Sequence, residues 1–189
     1  IDELHQELIY LILYFQGEPY LNPDFLEMAA YARQRGVFTT TSTNGHFLDD
    51  DNARRTVESG LGSLIISIDG LDAETYQQYR VGGDYQKVLD GMARLTAWKK
   101  KLKSPTPHIQ AQLIVFRHNE QQVEAFKTWA IGQGIDQVLI KSAQIYDFDQ
   151  AERWLPEDER HARYSKQANG RYTMRRRLYN HCWKLWHGA

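Results

Sequence analysis

The sequence predicts an α/β protein in which parallel strands alternate with helices. Short apolar or β-branched runs recur along the chain, helix start and stop signals separate them, and the separations are long enough for helical crossovers. Strands that alternate with helices in this way pair in parallel through right-handed crossovers. The five predicted strands are Leu8–Phe15, Val37–Thr43, Leu64–Ile68, Ile109–Phe116 and Val138–Ile145.

The first predicted strand, Leu8–Phe15, is a continuous apolar run, which is typical of a strand buried on both faces. Asn22-Pro23 predicts the start of the helix that follows it, and Gly36 its end. The other predicted helices are Asp49 to Ser59, a region from Asp72 to Lys101 broken near Gly82-Gly83, and a helix after Asn119, where Asn119 and Gln122 fit a capping box. This pattern fits an open doubly wound sheet and part of a barrel equally well.

The chain changes character at Tyr146. We predict a folded core over residues 1–146 and a polar connector over 147–189, in which Glu152–Arg163 forms a polar helix. The chain starts at Ile1 within a helical pattern, without an initiator Met, and ends abruptly. These features predict an internal piece of a longer protein.

Charge and cysteine content exclude several classes of protein. The 23 basic and 24 acidic residues give a formal net charge of −1, so we expect neither a nucleic acid nor a membrane surface as partner. No apolar run approaches the roughly 20 residues that span a bilayer. The single cysteine, Cys182, excludes an internal disulfide framework and predicts a reducing, cytoplasmic compartment.

Polar side chains follow almost every predicted strand, where functional loops of parallel α/β folds lie. They are Gly17-Glu18-Pro19, Ser42 to Gly45, Ser67 with Asp69-Gly70, Arg117 to Asn119, and Lys141, Ser142 and Gln144. A purely structural sheet does not need so consistent a pattern, so we expect a ligand site at this rim.

The ordered set of motifs resembles the radical S-adenosylmethionine (SAM) superfamily over roughly Leu8 to Tyr146. The matching stretches are FQGEP at 15–19, TSTNG at 41–45, IISIDG at 65–70 and YRVGG at 79–83. The ending at 180–186, NHCWKLW, is similar to the opening of a SPASM extension, a cysteine-rich module for auxiliary iron–sulfur clusters. The resemblance implies a partial (β/α)6-type barrel, of which five βα units are present.

The resemblance also implies roles for single residues. It assigns Gly17, Glu18 and Pro19 to the SAM amino group, and Ser67 and Arg80 to its carboxylate or ribose. Its other implied cofactor-binding residues are Thr43 and Asn44 near the ribose, Asp69 on the rim, and Ser142 and Ile145 near the adenine. Cys182 would be a ligand of an auxiliary cluster, and Gln110, Gln112, His118 and Lys141 would face the substrate.

The chemistry implied is reductive cleavage of SAM to a 5′-deoxyadenosyl radical, which abstracts hydrogen from a substrate such as a peptide or protein. The family binds its 4Fe–4S cluster with three cysteines in a CxxxCxxC loop, and this sequence contains no such motif. We therefore expect the 189-residue chain alone to bind no cluster and to be inactive.

Two other interpretations fit the residues. Glu18 and Asp69 would serve as the carboxylate pair of a β/α-barrel glycosidase. Alternatively, the chain is a non-catalytic α/β nucleotide-binding module or a degenerate barrel, although no GxGxxG follows a predicted strand.

Overall fold

The computed structural model describes residues 1–175 and contains one five-stranded parallel sheet. Its strands are β1 (Tyr10–Ile12), β2 (Phe38–Thr43), β3 (Ser63–Ser67), β4 (His108–Val115) and β5 (Gln137–Ser142). They lie in the order β1-β2-β3-β4-β5, and every neighbouring pair is parallel. The prediction of five parallel strands is confirmed.

The strand order decides between the two architectures that the sequence leaves open. A doubly wound sheet reverses its strand order at a switch point, and this sheet has no reversal. Right-handed crossovers between successive neighbours place the helices on the same face of the sheet. The partial barrel is therefore confirmed, and the doubly wound alternative is wrong.

The helices cover one face of the sheet, which we call the outer face. They are α1 (Phe25–Gln34), α2 (Asp50–Glu58), α3 (Ala73–Tyr79), α4 (Tyr85–Lys101) and α5 (Val123–Gly132). The short α6 (Ala151–Trp154) packs instead on a small cluster around Phe116 at the exit of β4. Asp49, Asp72 and Asp84 cap α2, α3 and α4 with their side chains. Apolar residues of the helices pack on Leu64, Ile66 and Leu113 of the sheet to form the main core. Within residues 1–175, no helix is long and apolar enough to cross a membrane.

The opposite face, which we call the open face, carries Ser42, Ser67, Gln110, Gln112 and Lys141. The register places these residues on the side away from the core residues Leu64, Ile66 and Leu113. Because the crossover helices within residues 1–175 pack on the outer face, polar side chains on the open face are not buried beneath a helix.

Three predictions about single elements are wrong. Leu8–Phe15 is not buried on both faces: β1 has three residues at the sheet edge, and Ile9 and Phe15 are 83% and 91% exposed. An edge strand of a sheet with one open face has few neighbours to cover it. The polar helix predicted over Glu152–Arg163 is only the four residues of α6.

The third wrong prediction is the capping box: α5 begins at Val123 without a side-chain cap.

Beyond α6, the described chain forms an antiparallel hairpin of β6 (Tyr164–Lys166) and β7 (Tyr172–Met174). The boundary predicted between 146 and 147 remains a prediction. Cys182 and the SPASM-like segment lie outside the described residues.

Helix α4 packs closely on the loop after β2, and Gly91 makes this approach possible. A Cβ at Gly91 would lie 2.8 Å from Leu48 Cβ and 3.1 Å from Gly45 O, whereas a Cβ at Gly132 would meet nothing within 4 Å. We therefore expect Gly91→Ala to lower the free energy of unfolding by about 1–3 kcal/mol through overpacking. Gly132→Ala is the control and should cause no loss. Urea unfolding measures both, and equal effects would contradict the close packing.

Candidate functional site at the carboxyl rim

The carboxylate of Glu18 joins the exits of β1 and β2. Gly17, with φ +87°, turns the chain out of the first strand, and Pro19 opens a short 3₁₀ turn. Glu18 Oε1 accepts a hydrogen bond from Thr43 Oγ1 at 2.8 Å, and Oε2 accepts one from the Asn44 amide at 2.7 Å. This fixes the turn so that its backbone carbonyls, together with the remaining lone pairs of Glu18, are the acceptors that a ligand ammonium would meet.

His46 extends this connection to the start of α4. The Asn44 side-chain oxygen accepts a hydrogen bond from the His46 amide at 2.9 Å. His46 Nε2 accepts one from the Asp84 amide at 2.8 Å, so the proton of a neutral ring lies on Nδ1. Asn44 is thus part of a loop that the chain holds in place without a ligand.

Asp69 and Arg80 form the central ion pair of the rim. Asp69 is fully buried after β3, and its Oδ1 accepts a hydrogen bond from the Ile114 amide at 2.7 Å. Its Oδ2 accepts a bond from Arg80 Nε, also at 2.7 Å. Burial raises the pKa of the Asp69 carboxyl group, and the Arg80 guanidinium opposes that shift. Asp69 therefore positions Arg80 and connects β3 to β4.

Arg80 lies at the C-cap of α3, with its side chain 26% exposed and its guanidinium 5.3 Å from the Tyr79 ring centre. Only its Nε donates a hydrogen bond to another of residues 1–175. The edge formed by Nη1 and Nη2 can bind a carboxylate through two parallel hydrogen bonds. The geometry therefore leaves Arg80 with anion-binding capacity at the rim.

Asn119 is a buried rim residue whose role the sequence analysis missed. Its Oδ1 accepts a hydrogen bond from the Phe116 amide at 2.8 Å. Its Nδ2 donates to the backbone oxygens of Asp69 and Ile114, at 3.1 and 3.0 Å. Asn119 thus ties the exit of β4 to that of β3 instead of capping α5. An Asn directly after a buried strand is the only sequence signal for this role.

The remaining predicted residues lie in different surroundings. Ser67 ends β3 on the open face, 6% exposed, and its hydroxyl has no hydrogen-bond partner among residues 1–175. Ser142 pairs with Val115 and so shares the outer face, away from Ser67. Ile145 packs on a small apolar cluster around Phe116. The register thus places Ser142 on the outer face, whereas Ile145 packs at the exit of β4.

An aromatic cluster covers the exit of β4. The His118 ring stacks on Phe116 with centroids 5.5 Å apart, and Trp154 of α6 meets both rings edge-on. Tyr79 also packs on Phe116, with centroids 4.4 Å apart. Burial lowers the pKa of the His118 imidazole, and its Nε2 is buried without a partner in the described chain. His118 thus packs in the aromatic cluster, and its Nε2 keeps an unused hydrogen-bonding capacity within residues 1–175.

The described residues do not fit an iron–sulfur cluster. Residues 1–175 contain no cysteine, and they bring no three His, Cys, Asp or Glu side chains together in an arrangement that could hold a metal. They fit SAM better, because backbone acceptors, the Ser67 hydroxyl and the Arg80 guanidinium match an ammonium, a ribose and a carboxylate.

Comparison with known proteins agrees with this architecture. The profile of the Radical SAM superfamily matches residues 1–129. The chain belongs to this superfamily. Its members among the relatives are maturases and synthases, so the family is one of enzymes.

Two curated radical SAM relatives and one solved structure are representative. Fe-coproporphyrin III synthase from Methanosarcina barkeri is 37% identical over 93 residues, which are 49% of this chain and 23% of the relative. Mycofactocin maturase MftC from Mycobacterium ulcerans is 29% identical over 130 residues, 69% of this chain and 34% of MftC. The structure of anSMEcpe with bound AdoMet and Cp18Cys peptide has a TM-score of 0.58 at 16% identity, covering 76% of this chain and 42% of that one.

The chain thus spans about a third or less of the length of these curated relatives. The structural likeness, at low identity, shows the shared fold alone.

Arg80 offers a test of the rim pair. Arg80→Ala leaves the buried Asp69 carboxylate unpaired, so we expect the free energy of unfolding to fall by about 3 kcal/mol. Arg54 is a matched control because it pairs with Asp51 and Glu58 on the exposed face of α2. Arg54→Ala should cost at most about 1 kcal/mol.

Denaturant unfolding of both arginine variants supplies the measurement. Adding Asp69→Asn to Arg80→Ala should recover part of the loss, because it removes the uncompensated charge. Equal small losses for the two arginines would show that Arg80 behaves as an ordinary exposed residue.

Proposed function

We propose that the whole protein is a radical SAM enzyme that binds SAM at the carboxyl rim and acts on a peptide substrate. The observation that carries the proposal is Arg80, which Asp69 holds at the rim with its carboxylate-binding edge unused within residues 1–175. Family membership supports SAM as the ligand. The neighbour that holds AdoMet and a peptide supports the substrate class.

In this proposal the chain binds and orients the methionine end of SAM. Gly17, Glu18 and Pro19 receive the ammonium group through the turn that Glu18 stabilises. Arg80 pairs with the carboxylate, and the Ser67 hydroxyl bonds to the carboxylate or the ribose. When bound, SAM supplies the hydrogen-abstracting radical, and the barrel excludes water from it.

The proposal also assigns the contacts to the ribose and to the adenine of SAM. Thr43 and Asn44 lie near the ribose, and Ser142 and Ile145 lie near the adenine through the β5 exit. The 4Fe–4S cluster and a SPASM-type extension with Cys182 belong to the whole protein in this proposal. We also propose a cytoplasmic location and no nucleic acid or membrane partner, in line with the near-neutral charge.

The glycosidase alternative has no support in the geometry. A general acid must reach the bond it protonates. Asp69 is fully buried, and both its oxygens already accept hydrogen bonds from Ile114 and Arg80. No observation favours a carboxylate pair formed with Glu18.

SAM affinity tests the assignments of Arg80 and Ser67. A charge-assisted bond contributes roughly 1.5–3 kcal/mol, so Arg80→Ala in the whole protein should raise the SAM dissociation constant about tenfold to a hundredfold. Arg80→Lys should recover part of this loss, because it keeps the charge without the planar fork. Ser67→Ala removes one neutral hydrogen bond and should cost about fivefold.

Isothermal titration calorimetry with SAM, well below each variant's unfolding midpoint, gives these constants. Arg54→Ala is the surface control and should bind SAM like the wild type. Unchanged affinity in a folded Arg80→Ala protein would refute the assignment of Arg80.

The cluster offers a separate test on the 189-residue chain. Thiolate-ligated clusters need several cysteines, and this chain has one. After anaerobic reconstitution with iron and sulfide, the purified chain should therefore contain no stoichiometric iron. It should also show no absorbance at about 400 nm, the region where thiolate-bound clusters absorb. Stoichiometric iron together with that absorbance would prove this expectation wrong.

A further inference from the structure

Tyr76 carries a buried hydroxyl group next to the ion pair of the rim. The residue lies on α3 one helical turn before Arg80, and its side chain is completely buried in the main core. Its ring packs against that of Tyr85, with centroids 5.5 Å apart. The hydroxyl has no hydrogen-bond partner among residues 1–175. Burial raises the pKa of this group, so it stays protonated and is a donor without an acceptor.

An unbonded hydroxyl inside a core is an unusual feature that calls for an acceptor. Buried polar groups in proteins are almost always hydrogen-bonded, because leaving one unbonded lowers the stability of the fold. The hydroxyl of Tyr76 is completely buried, so a ligand in solution does not reach it directly. Its acceptor is therefore either a buried water or a group of the chain itself.

The backbone carbonyl of Arg80 is a suitable acceptor for this hydroxyl. Tyr76 Oη and Arg80 O lie 2.8 and 3.0 Å from the point that a Cβ at Gly83 would occupy. The two oxygens therefore border the same small space, which Gly83 leaves open because it has no side chain. The Arg80 carbonyl already accepts a hydrogen bond from the Gly83 amide at 2.8 Å. A carbonyl oxygen has two lone pairs, so it can accept a second bond.

The turn between α3 and α4 is held at its two ends and lightly packed between them. The ion pair of Arg80 holds one end, and the bond from the Asp84 amide to His46 holds the other. Between these points Val81 is 88% exposed, and a Cβ at Gly82 would meet nothing within 4 Å. The backbone that follows the Arg80 carbonyl can therefore rotate without disturbing the core.

We propose that Tyr76 is a positioning residue for SAM: its hydroxyl donates a hydrogen bond to the Arg80 carbonyl when the Arg80 guanidinium holds the SAM carboxylate. A carboxylate that draws the guanidinium toward itself also turns the backbone of the same residue, and the light packing of Val81 and Gly82 permits that turn. The new bond recovers the free energy that the unbonded hydroxyl costs the free protein. The inference rests on the proposed function, since it concerns the residue through which SAM is held.

This arrangement gives Tyr76→Phe two effects of opposite sign. In the free protein the variant removes an unbonded buried hydroxyl, so we expect the unfolding constant measured in urea to fall about fivefold. In the SAM complex it removes a hydrogen bond, so we expect the SAM dissociation constant of the whole protein, measured by calorimetry, to rise about fivefold. A residue that only supports the fold would lose stability and affinity together.

Two other tyrosines provide matched controls. The Tyr20 hydroxyl is bonded to Thr56 Oγ1 at 2.7 Å, so Tyr20→Phe should raise the unfolding constant about fivefold. The Tyr31 hydroxyl, on α1, donates to the carboxylate of Asp2. Tyr31→Phe is the control for calorimetry and should bind SAM with the wild-type affinity.

NMR of the wild-type protein observes the hydroxyl directly and needs no substitution to fold. Tyrosines labelled with ¹³C at Cζ, the ring atom that carries the hydroxyl, report changes in its hydrogen bonding. Addition of SAM should shift the Tyr76 signal, assigned through its ring and backbone correlations. The signal of Tyr20, which is already bonded to Thr56, should stay in place.

The outcomes separate this inference from the proposed function. A Tyr76→Phe protein that unfolds more easily than the wild type would show that a buried water or another group already bonds the hydroxyl, and would overturn the proposal. So would an unchanged SAM affinity in this variant, or a Tyr76 Cζ signal that SAM does not move; in these cases the proposed function stands. If the wild-type protein does not bind SAM, the proposed function and this inference both fall.

Discussion

The buried carboxylate of Asp69 is the group around which the carboxyl rim is organised. A charge without access to water must be compensated locally, and here Arg80 and the Ile114 amide provide that compensation. The same requirement draws the end of α3 toward the exit of β3 and fixes the register of the β4 exit beside it. Asn119 completes the arrangement by bonding the backbone of both exits. One desolvated group thus determines where the remaining donors of Arg80, at Nη1 and Nη2, can lie.

The second constraint is the order of the strands. Because each strand pairs with its neighbour in sequence, the crossover helices occupy the outer face, and the open face keeps its polar side chains. Ser67 and Gln112 are tolerated there because a ligand or solvent can reach a face that helices do not cover. The outer face shows the opposite composition, with Leu64, Ile66 and Leu113 completely buried.

The two halves of the rim differ in how far their hydrogen-bonding groups are already bonded within residues 1–175. At the exits of β1 and β2, Glu18 already accepts hydrogen bonds from Thr43 and Asn44, which hold the turn in place. At β3 and β4, hydrogen-bonding groups of Ser67 and Gln112 remain unused within residues 1–175. The hydrogen bonds of the first half hold its groups in position before a ligand binds, and preorganised groups lose little freedom on binding. The second half offers unused groups to a second ligand beside it.

The sequence by itself determined the α/β class, the number of strands and the rim on which the polar residues lie. These properties follow from local patterns: apolar runs, caps such as Asp49 and Asp72, and the fact that parallel strands end at one edge. Only the tertiary structure decided the single winding of the sheet, because strand order depends on contacts between segments distant in sequence. It also decided that Asp69 faces Arg80 and that Asn119 bridges two strand exits. Side-chain partners of this kind depend on burial and on approach across 11 to 50 residues of chain, which no local pattern encodes.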